Sequence, residues 1–153
     1  MLAASSALAE TVINATTFDD VVDAGDAYTS LREAINAANS GADDYRIYLA
    51  AGSQMWPYSL TGNGDNANAT GDLDINAAGR TVTITVGAGD AWIASAYADR
   101  LLHVRAGTVV VERVTFYHGQ AVDDGSGGAN GSVGAILVES GASLTLNNVA
   151  IRD

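Results

Sequence analysis

Leu102-His-Val-Arg-Ala-Gly-Thr-Val-Val-Val-Glu-Arg-Val-Thr-Phe-Tyr-His118 and Ile136-Leu-Val-Glu-Ser-Gly-Ala-Ser-Leu-Thr-Leu-Asn-Asn-Val-Ala-Ile-Arg-Asp153 align with a single one-residue insertion. Val104 matches Val138, Gly107 matches Gly141, and Val109 and Val111 match Leu144 and Leu146. Val114 and Phe116 match Val149 and Ile151. A weaker copy, Ile75 to Gly79 followed by Val82 and Ile84, precedes both. Each copy reads as short strands separated by glycine corners. Such a unit cannot bury its inward residues alone, whereas stacked copies can. Stacking puts Val82, Val109 and Leu144 in one inward column and Ile84, Val111 and Leu146 in the next, with strands about 4.8 Å apart. It also sets Arg105 over Glu139, Tyr117 over Arg152 and His118 over Asp153. A β-sandwich would need tight hairpin turns, and no Asn-Gly hairpin separates the two long copies.

Upstream, Thr81-Val-Thr-Ile-Thr-Val86 alternates threonine with aliphatic residues and Tyr45-Arg-Ile-Tyr-Leu49 reads as another strand. Glu10 to Phe18 is β-branched and predicts a strand as well. Gly/Asn/Asp-rich loops are expected over 61–72, 87–90 and 123–134. The one helical pattern is Thr29-Ser-Leu-Arg-Glu-Ala-Ile-Asn-Ala-Ala-Asn39. Ser30 and Glu33 have capping-box spacing. Leu31, Ala34, Ile35 and Ala38 share a face at helical spacing. A helix over 31–38 is therefore expected to cover the apolar end of the strand stack, with Leu31 and Ile35 facing inward. Arg32 and Glu33 are expected to face outward or hold its first turn. Before the first strand, Met1-Leu-Ala-Ala-Ser-Ser-Ala-Leu-Ala9 ends in a small-x-small triplet like a signal-cleavage site.

Composition narrows the function. The chain has 153 residues, 18 acids, seven basic residues and a net charge of −11. All the basic residues are arginines. Nucleic acid is excluded as a partner, because phosphate binding needs a basic patch. The apolar segments are too short to span a bilayer, so no membrane insertion is expected. Without cysteine there is no disulfide and no thiolate metal site.

Oxygen donors are plentiful. Asp65, Asp72 and Asp74 lie in one Asn/Asp-rich stretch suited to calcium, the one candidate cofactor, although the spacing is not that of an EF-hand. Asp72 and Asp74 alternate along one potential strand, which would let them share a face, but the expected role for the pair is a turn and a solvated edge. Arg80, Arg100, Arg105 and Arg113, with Asp99, Asp123 and Asp124, could furnish a lyase or hydrolase, but no motif brings them together, and no catalytic residue is assigned. Sequons begin at Asn14, Asn68 and Asn130.

Ser30-Leu-Arg-Glu-Ala-Ile-Asn-Ala-Ala-Asn39 closely resembles the motif of the bacterial secreted proteins called CSLREA-domain proteins, with Thr29 where the motif has its leading cysteine. The Asn-Ala-Thr-Gly-Asp-Leu-Asp stretch at 68–74 and the strands around it follow the same order. That resemblance implies the N-terminal part of a right-handed parallel β-helix, pectate-lyase-like, and an extracellular or cell-surface location. It implies no single activity.

The combined expectation is an all-β fold, a right-handed parallel β-helix (solenoid) of about four coils. Residues 1–9 would form a signal-like or exchanged N-terminal segment, and residues 10–153 the domain with its capping helix. The expected function is a secreted structural protein that assembles with itself into a filament or surface layer. Leu2, Leu8 and Val12 of one copy would cover Leu144, Leu146, Val149 and Ile151 of the next. The alternative is a carbohydrate-binding, adhesin or degraded polysaccharide-lyase module of a larger surface protein.

Overall fold

The computed structural model describes residues 8–96, 99–120 and 134–152. Strand β1 (Glu10–Asn14) leads to helix α1 (Leu31–Ser40) and then β2 (Asp44–Leu49). The strands β3 (Tyr58–Leu60), β4 (Leu73–Val86), β5 (Ala91–Ser95), β6 (Leu102–Glu112), β7 (Val114–Tyr117), β8 (Ile136–Val138), β9 (Ser143–Asn147) and β10 (Ala150–Arg152) follow. They form two sheets, and every ladder between named strands is parallel. The larger sheet runs β1-β2-β4-β6, with β8 and β9 both on β6; the smaller runs β3-β5-β7-β10.

The repeat register survives in detail. Val82 pairs with Val109 and Val109 with Leu144; Ile84 pairs with Val111 and Val111 with Leu146. Tyr117 pairs with Arg152, and the Arg105 guanidinium reaches Glu139 at 3.4 Å. Asp153, expected beside His118, lies outside the described residues. Val82, Ile84, Val109 and Val111 are buried with Ile47, Ile75, Val104, Ile93 and Phe116 in one core. Gly107 and Gly141 take left-handed backbone at the matched corners (φ 91° and 88°). A Cβ on Gly107 would strike the Ala77 carbonyl, so this corner needs glycine.

The expectation of an all-β, right-handed parallel β-helix is corrected. The described residues form an α/β-like arrangement: ten strands in two parallel sheets with one helix built into the core. Two features account for the difference. The sequence reading placed no strand at Tyr58–Leu60 or Ala91–Ser95, three and five residues long, yet these two build the second sheet with β7 and β10. Helix α1 also does more than cover an end. Leu31, Arg32, Ala34, Ile35 and Ala38 are all buried, so it is an integral layer.

The helix starts where the sequence said it would. The Ser30 side chain accepts from the Glu33 amide, and the Glu33 carboxylate accepts from the Ser30 amide. It runs two residues beyond the expected end. At Gly41 the chain turns away, and any Cβ there would meet the Tyr45 ring. Asn39 then stands in for a strand. Its side-chain amide donates to the Asp74 carbonyl at 2.8 Å and accepts from the Asn76 amide at 2.8 Å, so part of the β4 edge is satisfied by a helix. The Arg80 guanidinium binds the Ala38 and Asn39 carbonyls at the end of the helix, where positive charge is favourable. Among the described residues no helix is long and apolar enough to cross a membrane.

Candidate functional site

Asp72, Asp74 and His103 come together where β4 enters the core beside β6. Asp74 and His103 are direct partners in the β4–β6 ladder. All three residues are buried. One ligating atom from each, two carboxylate oxygens and a ring nitrogen, lies within 4.8 Å of the others. Asp72 and Asp74, expected at a turn and a solvated edge, instead turn their carboxylates to one buried face. Nothing in the sequence alone pointed to His103.

Each residue has one atom firmly held. Arg100 Nε donates to Asp72 Oδ2 at 3.0 Å. The Asn68 amide donates to Asp74 Oδ2 at 3.1 Å. His103 Nε2 meets Glu139 Oε1 at 2.9 Å. The opposite atoms, Asp72 Oδ1, Asp74 Oδ1 and His103 Nδ1, are buried and form no hydrogen bond. His103 Nδ1 and Asp74 Oδ1 stand 3.0 Å apart, but without hydrogen-bond geometry the contact is electrostatic only. Burial pushes the Asp72 carboxyl up to about 6, with the charges of Asp74 and Asp99 adding to it and Arg100 drawing it back.

A cleft of about 320 Å³ opens beside the cluster, lined by Asn39, Asn66, Ala67, Asp74, Asn76 and Arg105. Asn66 Oδ1 and Arg105 Nε are buried there without hydrogen bonds. Asn68, in left-handed backbone (φ 57°), locks the loop. It donates to the Arg32 carbonyl and Asn36 Oδ1 and accepts from the Asp74 amide. The acceptor asparagine of its sequon is therefore buried; the sequon of Asn130 lies outside the described residues.

Asp65 is not part of the cluster. Its carboxylate accepts from the Ala69 and Thr70 amides at 2.5 and 3.2 Å. Burial alone would raise it, but these and neighbouring amides hold it below the ordinary carboxylate range. Arg32 also departs from expectation. It faces the interior, pairing with Asp20 at 2.7 and 3.0 Å and donating to the Gly71 and Asp72 carbonyls. Asp99 accepts from the Gly64 and Arg100 amides; Asp123 and Asp124 lie outside the described residues.

The residues expected to carry assembly fall on the outermost strands. Over β6 and β7 lie β8, β9 and β10, and their far sides meet no strand among the described residues. Leu146 is 41% exposed and Ile151 55%, while Leu144 and Val149 are half-buried against the core. At the other edge, Val12 of β1 is 53% exposed and Leu8 43%; Leu2 lies outside the described residues. Residues 10–14 pair with β2 along their whole length, so they are not a spare segment free to leave.

No family model, curated protein or solved structure matches the chain.

Proposed function

We propose that the protein is a structural component of the cell exterior that joins copies of itself edge to edge into a filament or layer. One observation supports this best: the parallel strands β9 and β10 carry Leu146 and Ile151 half exposed on an edge that meets no further strand among the described residues. Such an edge invites strand addition, since main-chain bonds give affinity and alternating side chains give register. A complementary edge is present on the same chain. Following the ladder register from β9 through β6, β4 and β2 to β1 brings Leu146 into the column of Ile13. A neighbour's β1 laid on β9 would thus continue both the parallel direction and the inward column. The contact is head-to-tail, which does not close and so builds open assemblies. The likeness of residues 30–39 to the CSLREA motif supports the extracellular placement.

The test is sedimentation and negative-stain microscopy of the full chain beside Leu146→Lys/Ile151→Lys. The wild type should form concentration-dependent assemblies and the double variant should stay monomeric with an unchanged circular dichroism spectrum. A wild type that stays monomeric at its solubility limit would refute the reading.

A second reading is carbohydrate binding by a module of a larger surface protein. It is favoured by a cleft of about 320 Å³ whose mostly apolar lining includes Pro57, Leu60, Ala94 and Tyr117, with Gln54 and Ser59 as polar groups. The Tyr117 and His118 rings stack there at 3.8 Å, and polar groups beside an aromatic face suit sugar rings.

A further inference from the structure

We propose that Asp72, Asp74 and His103 hold a divalent transition-metal ion of the zinc class, bound through Asp72 Oδ1, Asp74 Oδ1 and His103 Nδ1. The argument begins with three atoms that should not be left as they are. Burying a polar atom without a hydrogen bond is destabilising, more so when it is charged, and here three such atoms converge from three residues. Placing the ring proton on Nε2, toward Glu139, leaves Nδ1 with its lone pair unused and 3.0 Å from the carboxylate oxygen of Asp74. Two electron-rich atoms at that distance repel unless a cation lies against both.

The second side of each residue is what a metal site requires. Ligating histidines commonly donate their other N–H to a carboxylate, and ligating carboxylates are themselves hydrogen-bonded. Glu139 does the first; Arg100 and the Asn68 amide do the second. The donors choose the metal class. An imidazole nitrogen suits zinc and its neighbours, whereas calcium takes an all-oxygen shell of six to eight ligands. Metal–ligand bonds of about 2.0–2.2 Å place donors about 3–4 Å apart, so a set lying within 4.8 Å needs only a small closure. Asp74 lines the neighbouring cleft, which gives the ion a route in and leaves room for water on it. Asp65, held by its own loop amides, takes no part.

The experiment uses the full chain after dialysis against EDTA. Titration with Zn²⁺ should show one ion per chain and a raised Tm, and Co²⁺ should give a visible d–d band that Zn²⁺ removes. His103→Gln and Asp74→Asn should abolish both responses. Glu139→Gln should weaken zinc about 10- to 100-fold, as loss of an outer partner does, and Asp65→Asn should change nothing. If a variant fails to fold, the wild-type Co²⁺ band still decides. Absence of any zinc or cobalt response in the wild type would overturn the site. So would undiminished binding by His103→Gln, or a Ca²⁺ response equal to that of Zn²⁺. Assembly of His103→Gln should match the wild type, so the metal site and the strand edge stand or fall separately.

Discussion

At the scale of single residues, backbone handedness marks where the sequence is not at its optimum. Arg113 sits in left-handed backbone (φ 58°) at the corner between β6 and β7, and its counterpart in the next copy, Asn148, has φ 57°. The chain has thus solved the same corner twice, once with a residue that tolerates the conformation and once with one that does not. Left-handed backbone costs an ordinary residue about 1–2 kcal/mol, and asparagine less. The Arg113 side chain recovers little, making one long contact of 3.4 Å to Thr85. Arg113→Asn should therefore stabilise by about 0.5–1 kcal/mol, raising Tm by about 1–4 °C in a calorimetric scan. A lower Tm would mean that the guanidinium contributes more than its geometry suggests.

At the scale of elements, the joint between α1 and the loop before β4 depends on one side chain. Asp20 and Arg32 are 3% and 1% exposed at their side chains, and Asp20 also accepts from the Thr61 amide and hydroxyl. Removing one member of a buried pair costs about 3–5 kcal/mol, so Arg32→Met should lower the urea midpoint by that equivalent. The helix itself was legible because its signals are local: a capping box and a 3.6-residue apolar period. The register of β4, β6 and β9 was legible because the same pattern recurs. The burial of Arg32 was not, because its partners Asp20, Gly71 and Asp72 lie 12 to 40 positions away. His103 escaped for a similar reason, since only the β4–β6 pairing sets it against Asp74. The second sheet was lost because β3 and β5 are too short to show a period.

At the scale of the whole molecule, charge opposes the proposed assembly. Each copy carries −11, and stacking copies brings like charge together. Because the Debye length shrinks from about 30 Å at 0.01 M salt to about 3 Å at 1 M, assembly should speed up with added NaCl. Light scattering across that range is the measurement, and faster assembly at low salt would contradict it. The all-parallel pairing also has a consequence in time. Ladder partners lie between 23 residues apart, as Ala91 and Val114, and 37 apart, as Tyr45 and Val82. With no hairpin in these ladders, no two strands can zip together from a turn. The capped turn of α1 is the one piece able to form early, and even its buried arginine must wait for residues 71 and 72 to arrive. Each loop must close before its contacts reward it, which places the chain among slow folders, in the millisecond-to-second range. Until the last ladder closes, a newly made molecule exposes several open edges where the finished one keeps few, so its most association-prone moment comes before the native state exists.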